Sequence, residues 1–361
     1  MHKWNLYTAQ TKLIERLWYT RHPLRWILLP MAWIYRFIVL VRRYYLEHVA
    51  MVRFPVPIIV VGNLTVGGVG KTPLVIALAK QLKAKGVRVG IVSRGYGAKV
   101  GRMPVEVFAD SDATVMGDEP LLLAKKTACP VVIAPKRVRA VQYLLEKYQS
   151  QVIISDDGLQ HYAMGRSVEI VVIDGMRGLG NGHFLPAGPL REGISRLKQV
   201  DFIVVNGHCP KESAFGKILH ACDDPRVYHM DFLPGDITGL LHGQSFERVE
   251  ENATIAAVAG IGHPERFFAM LKGLNIDFKP YPFQDHHPFS PKDLHFKETM
   301  ILMTEKDAVK CQSFATNSMY VLPINAVVED TFWDALWSHK QLGLGLFKNT
   351  RSCKNESYSL L

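Results

Sequence analysis

Residues 62–73 read GNLTVGGVGKTP and follow the apolar run PVPIIVVG (55–62). A buried strand that runs into a glycine-rich turn is what a phosphate chain needs. Gly67, Gly68 and Gly70 let backbone N–H groups converge on anionic oxygens with no side chain in the way. Thr65, Val66 and Val69 complete the loop, and the helix expected to start near Thr72 adds its positive dipole end. Lys71 is placed to reach the β- and γ-phosphates, and the Thr72 hydroxyl to ligate Mg²⁺. The motif therefore predicts a nucleoside triphosphate site. The P-loop pattern asks for Gly five residues before Gly70, where this chain has Thr65. The competing reading is an ordinary Gly-rich strand-to-helix turn. The strand before the loop and the amphipathic run LVIALAKQLKAKG after it favour the P-loop.

A second site is VIISDDGLQHY (152–162). An apolar strand ends in Asp156 and Asp157, at the edge where open α/β sheets bind ligands. Successive strand residues point to opposite faces, so the two carboxylates are expected to differ in role, one near metal and one near phosphate or Lys71. Gln160 and His161 follow on the turn. In GDEPLLLAKK (117–126), Asp118 and Glu119 precede Pro120 and an apolar helix. They read either as complements to the helix dipole or as the carboxylate with which a phosphotransferase orients or deprotonates an acceptor hydroxyl. FQDHHPFS (283–290) puts His286 in a loop, without the i, i+4 spacing of a helical metal site. Lys306 and Asp307 in MTEKDAVK (303–310) look like a base-reading loop of nucleotide-binding proteins, with a surface turn as the default. SRGYG (93–97) and NGHFLPAGPLREG (181–193) could grip an anionic sugar through Arg94, Tyr96 and Arg191; by composition alone they are loops.

The elements that must carry these residues alternate. Strand-like runs lie at 57–62, 87–95, 131–135, 151–158, 168–175 and 201–207, with helical stretches such as 136–149 between them. Continuous Val/Ile runs suit parallel strands buried on both faces. The expectation is α/β: a P-loop NTPase-type doubly wound sheet. After a looser connecting segment (223–253), a second and smaller α/β domain is expected over 254–346, with strands at 254–262, 300–308 and 319–328, a helix near 264–273 and a closing helix at 331–342. The core would span 54–222, and the tail 347–361 would fray. At 361 residues the chain is long enough for two cores.

The net charge of +10 is uneven: residues 1–53 hold nine basic residues against two acidic ones, and four of the six Trp. Residues 24–41, LRWILLPMAWIYRFIVLV, are apolar apart from Arg25 and Arg36, which argues against a nucleic-acid arm. The charge-free stretch Trp26–Tyr35 falls short of the roughly 20 residues a span needs. A membrane-associated arm, lying in the interface or tilted with Arg36 snorkelling, is the expectation; a buried soluble helix is the alternative. No small-residue cleavage site of a signal peptide follows it. The five cysteines show no CxxC pair, so neither a zinc site nor a disulfide framework is suggested. Their spacing fits a reducing, cytoplasmic location.

Taken in order, GNLTVGGVGKTP, VSRGYG, GDEP, APKR, SDDGLQH, GNGHFLPAGPLRE, AGIGHPERFF, FQDHHPF and MTEKDAVK resemble the tetraacyldisaccharide 4′-kinase family, the lipid A 4′-kinases of Gram-negative bacteria. The match covers nearly the whole chain, and Thr65 is what this family shows at that position. The resemblance implies ATP-dependent phosphorylation of the 4′-hydroxyl of a tetraacylated glucosamine disaccharide 1-phosphate at the cytoplasmic face of the inner membrane. It implies that Asp118 activates the acceptor hydroxyl, with His286 pairing with it and raising its basicity. Thr72, Glu119 and Asp157 would form the Mg²⁺ shell, Lys71 the phosphate clamp and Asp156 its neighbour. Gln160 and His161 would sit close to the phosphates, and Arg94 and Tyr96 at substrate or nucleotide contacts. ATP and Mg²⁺ are the implied cofactors, and the lipid and a membrane surface the partners, with neither nucleic acid nor a protein partner expected. Two rivals remain at this point. One is a membrane-recruited P-loop switch ATPase, whose deviant loop usually has Lys where this chain has Val66. The other is a nucleic-acid-binding ATPase, which rests only on the basic arm.

Overall fold

The computed structural model describes residues 13–20, 22–95, 97–213, 215–217, 224–244 and 253–342. In chain order the elements are α1 (Arg25–His48), β1 (Ile58–Gly62), α2 (Lys71–Ala84), β2 (Val89–Ser93), β3 (Val105–Val107), α3 (Ala113–Met116), α4 (Asp118–Thr127), β4 (Val131–Ile133), α5 (Arg137–Tyr148), β5 (Val152–Ser155), β6 (Val168–Asp174), β7 (Phe202–Asn206), β8 (Val227–Pro234), β9 (Thr238–Gly239), β10 (Ile255–Ala259), α6 (Pro264–Gly273), β11 (Lys279–Pro282), β12 (Met300–Thr304), α7 (Glu305–Cys311), β13 (Met319–Leu322), β14 (Ile324–Val328) and α8 (Asp330–Ser338). The chain divides into two compact units. One comprises Met1–Lys71, Asp157–Met230 and Val328–Leu361, the other Thr72–Asp156 and Asp231–Val327.

In the first unit β8, β7, β6 and β1 lie side by side and parallel. β1, β6 and β7 are buried at every position, as parallel strands covered on both faces must be. Leu64, Leu159, Val171, Ile173, Leu190 and Val205 belong to one apolar cluster beneath the loops that follow β1 and β6. Phe332 of α8 packs edge-on against Phe202 and Tyr228. α1 is 24 residues long with only Ala32 buried. It is held at its C-terminal end, where the Arg43 guanidinium lies 4.9 Å over the Tyr162 ring. Among the described residues no helix is long and apolar enough to cross a membrane.

The second unit carries two strand groups. β5, β2 and β4 run parallel, with β3 antiparallel at the edge. A separate five-stranded sheet has the order β11-β10-β12-β13-β9, parallel except for β9. Its side chains alternate between two faces. Val258, Ile301 and Met303 meet Ala308 and Cys311 of α7, whereas Ile255, Ala257, Ala259 and Leu302 meet Phe267 and Leu271 of α6. Helices thus cover both faces, as expected for a doubly wound arrangement.

Several local expectations change. The run 300–308, expected as one strand, turns helical at Glu305, because Thr304 caps the helix by accepting the Asp307 N–H. The 319–328 run breaks at Pro323 into β13 and β14, since proline cannot donate to a ladder. The connecting segment contains β8 and β9. Two short edge strands, β3 and β11, escape the periodicity reading; β11 reads Lys-Pro-Tyr-Pro and is largely exposed, and prolines are tolerated only at such an edge.

Candidate functional site

In the first unit the strand β1 delivers the chain into the 63–70 loop. Gly62 is required there: a Cβ would lie 2.5 Å from the Leu159 Cβ. Gly67 and Gly70 adopt φ of 111° and 94°, which L side chains rarely reach. Thr65 pairs with Leu190, and the Val66 N–H donates to the Pro189 carbonyl at 2.9 Å, so the segment 181–193 buttresses the loop. The Val69 carbonyl accepts from Asn206 Nδ2 at 2.9 Å. Lys71 opens α2, and its Nζ lies 3.2 Å from Asp157 Oδ1 and donates to Asn63 Oδ1 at 3.1 Å. Asp157 holds a left-handed backbone (φ 48°), a conformation that costs energy for a non-glycine residue and tends to persist at functional sites. Arg191 Nη1 approaches the same carboxylate at 3.3 Å. Gln160 Nε2 donates to the Asn63 carbonyl at 3.1 Å, and the His161 N–H donates to the Gly158 carbonyl.

This unit therefore gathers Thr65–Lys71, Asp157, Gln160, His161 and Arg191. Thr72 and Asp156 belong to the second unit. Asp156 is buried at the end of β5, its N–H donating to the Val92 carbonyl. Arg94 is exposed in the loop after β2, and Tyr96 lies outside the described residues.

The second unit builds a different cluster. Asp118 and Glu119 form the first turn of α4, behind Gly117 at φ 86°. Asp118 is only 5% exposed. His286, in the loop after β11 with φ 59°, directs Nδ1 to Asp118 at 2.9 Å from Oδ2 and 3.0 Å from Oδ1. Two acceptor oxygens on that side assign the proton to Nδ1. On the other side of the ring, Lys306 Nζ lies 3.3 Å from Nε2 and donates to Glu119 at 3.0 Å and Asp285 at 3.2 Å. Lys310 Nζ is 4.0 Å from Asp118 Oδ2 and 2.8 Å from Asp307 Oδ1.

Burial by itself would raise the Asp118 carboxyl, but the His286 hydrogen bond and the Lys306 and Lys310 charges outweigh it and hold the group below its ordinary value. The Asp118 hydrogen bond raises His286 against the opposing effects of burial and Lys306. Burial opposes the charge on Lys306, yet Glu119, Asp118 and Asp285 raise it overall. This corrects one expectation. His286 does not make Asp118 more basic: a donor to a carboxylate stabilises the charged form. It keeps a buried carboxylate ionised and oriented.

Lys306 and Asp307 are also not on a surface turn. They sit in the first turn of α7, and Asp307 is fully buried. Its carboxylate accepts from the Gly260 N–H at 2.8 Å and from Thr304 Oγ1 at 2.7 Å, which pins the ends of β10 and β12 together. Asn63 and Lys310 were not singled out from sequence. Lys310 stands one helical turn beyond Lys306 and Asp307, a spacing that could have flagged it.

Residues 24–341 match the family described as Tetraacyldisaccharide-1-P 4′-kinase. The chain is 53% identical over 329 residues to the tetraacyldisaccharide 4′-kinase of Legionella pneumophila (strain Lens), covering 91% of this chain and 98% of that one. It is 44% identical over 338 residues to the enzyme of the same name from Aeromonas hydrophila subsp. hydrophila, covering 92% and 97%. Among solved structures it is similar to LpxK from Aquifex aeolicus in complex with ATP, with a TM-score of 0.71 and 27% identity over 88% of this chain and 99% of that one.

Proposed function

The chain belongs to the tetraacyldisaccharide-1-P 4′-kinase family, and from that premise we propose that it transfers the γ-phosphoryl group of ATP to the 4′-hydroxyl of tetraacyldisaccharide 1-phosphate, giving the lipid A precursor lipid IVA. It is an ATP-dependent kinase of a lipid A precursor, and the switch-ATPase alternative is not favoured. The observation that best supports an acceptor-directed reaction is the His286–Asp118 contact at 2.9 Å. It holds a buried carboxylate in its ionised form, which supports reading Asp118 as the group that takes the proton of a sugar hydroxyl, a poor nucleophile at neutral pH.

In this reading Lys71, at the head of α2, clamps the β- and γ-phosphates, and the glycine loop supplies backbone N–H groups. Asp118 accepts the 4′-hydroxyl proton as the new P–O bond forms, and the β–γ bridging oxygen leaves with ADP. His286 holds the carboxylate in its ionised, oriented state; Lys306 in turn fixes the imidazole from Nε2. Arg191, beside Asp157, offers a second cation to an anionic ligand. The Thr72 hydroxyl and the Glu119 and Asp157 carboxylates are hard oxygen donors, the set that Mg²⁺ takes. Each is a candidate oxygen donor to the ion, which would neutralise charge on the phosphate oxygens when bound.

α1 supports attachment to a membrane surface. Trp26, Ile27, Trp33, Ile34 and Phe37 are each more than half exposed, and Arg25, Arg36, Arg42 and Arg43 accompany them. This is the composition of a helix lying in an anionic interface. A lipid acceptor used together with ATP favours the cytoplasmic face of the inner membrane as that interface in this reading. The test is a kinase assay of the full chain with purified disaccharide 1-phosphate, ATP and Mg²⁺ in detergent. The expected result is a product carrying a second phosphate. ATP turnover that proceeds equally without the lipid would overturn the reading in favour of a switch ATPase.

A further inference from the structure

Asn63 stands between β1 and the glycine loop, with none of its surface exposed. Its amide has two N–H donors and an acceptor oxygen, and each has a partner. Nδ2 donates to the Thr65 carbonyl at 2.7 Å and to the Gly67 carbonyl at 3.3 Å, and Oδ1 accepts from Lys71 Nζ at 3.1 Å. The partners themselves assign the amide: carbonyls need the nitrogen, and an ammonium needs the oxygen. The Asn63 main chain is held as well, since its carbonyl accepts from Gln160 Nε2 at 3.1 Å.

The consequences follow from peptide geometry. C=O and N–H point in opposite directions across a planar trans peptide. Turning the Thr65 carbonyl toward Asn63 sends the Val66 N–H the other way, where it meets the Pro189 carbonyl. Turning the Gly67 carbonyl toward Asn63 likewise sends the Gly68 N–H away from Asn63, as a phosphate cradle requires. At the same time Oδ1 shares the Lys71 ammonium with Asp157 Oδ1 at 3.2 Å. A neutral acceptor fixes the position of the ammonium without neutralising its charge, so the lysine remains a cation that phosphate can recruit.

We infer that Asn63 is a positioning residue for the nucleotide. It acts through the Lys71 ammonium and the Thr65 and Gly67 carbonyls and sets the cradle before ATP arrives. This rests on the ATP-kinase reading above. Among the described residues no other side chain meets both the Lys71 ammonium and the Thr65 and Gly67 carbonyls. An aspartate of the same size would keep an acceptor for Lys71 but present oxygen to two carbonyls and add a negative charge beside the phosphates.

The experiment compares wild type, Asn63→Ala and Asn63→Asp as full chains, with kcat, KM for ATP and KM for the lipid acceptor read separately, and ATP binding measured directly by calorimetry. Misplacing a phosphate-binding group commonly costs at least about tenfold. The expected result is that rise in both KM and Kd for ATP in each variant, larger for Asn63→Asp, with the lipid KM unchanged within about twofold. Either folded variant binding ATP like wild type, or a lipid KM rising in step with that of ATP, would overturn the inference. Loss of folding in both variants would also overturn it and make Asn63 a purely structural residue. A wild-type chain that binds no ATP would instead overturn the kinase reading itself.

Discussion

His286 Nδ1 contacts both carboxylate oxygens of Asp118, at 2.9 and 3.0 Å, although the two residues stand 168 positions apart in the chain. The hydrogen bond keeps a carboxylate that is 5% exposed in its ionised form. Lys306 closes the other side of the imidazole and reaches Glu119 and Asp285 as well. Both residues lie within one unit of the fold.

Asp118 and His286 are expected to act together. Asp118→Ala and His286→Ala should each lower kcat by roughly 10²–10⁴-fold, the usual loss when assisted proton transfer is removed. Nucleotide affinity should stay nearly intact. Groups that work as a unit are non-additive, so the double variant should be little worse than the worse single one. A double-mutant cycle on kcat checks this; fully multiplicative losses would leave His286 as an independent structural residue.

The same pair predicts how stability varies with pH. His286 is raised in the folded state, so its contribution is fully present below the unfolded histidine value of about 6.5 and is lost as pH climbs through the raised value. Asp118 is lowered, so its contribution is present above about 3.9 and is lost as pH falls through the depressed value. Denaturant unfolding of wild type and His286→Gln should therefore differ most near pH 5.5, by on the order of 1 kcal/mol, and converge toward pH 9. An equal gap at both values would show that the protonated histidine adds nothing to the pair.

Lys71→Ala should abolish phosphotransfer while leaving the fold intact. Its Nζ lies beside a neutral amide and a carboxylate, Asn63 and Asp157, and both can release it to phosphate. Removing a preorganised cation from developing charge costs about 10²–10³ in rate. Single-turnover assays with circular dichroism as a folding control would decide it; half of wild-type kcat would sink the clamp assignment.

Contiguity decided what could be read from sequence. The glycine loop with Lys71 and the Asp156–Asp157 pair are each local motifs, and the backbone geometry at the end of a strand, β1 for the first and β5 for the second, explains each. The Asp118–His286 pair has no local signature. An acid at a helix start and a loop histidine are both common, and only the family resemblance joined them. Asn63 passed unnoticed because a polar residue after a strand looks like any loop residue; its value lies in three partners that only the fold identifies. The helical turn at Glu305 was within reach, since Thr304 followed by Glu305 and Asp307 is a helix-start pattern. The apolar MILMT run obscured it.

The exposed face of α1 gives the last expectation. Ile27 and Phe37 are 72% and 68% exposed, and neither belongs to the interior of the unit that carries the glycine loop. Replacing both by Glu should leave the fold and the KM for ATP unchanged, because α1 is held near its C-terminal end by Arg43, which lies over Tyr162 and donates to Gln199 Oε1 at 2.7 Å. An interfacial helix binds through buried apolar area together with attraction between its arginines and anionic lipid. Two glutamates weaken both terms. The variant should move from the membrane pellet to the supernatant after a salt wash, and its KM for the lipid should rise while kcat at saturating lipid holds. Flotation with vesicles containing anionic lipid measures the first, and mixed-micelle kinetics the second. A variant that still floats fully with the vesicles would place the attachment elsewhere on the chain and remove α1 from the account of how the enzyme reaches its substrate.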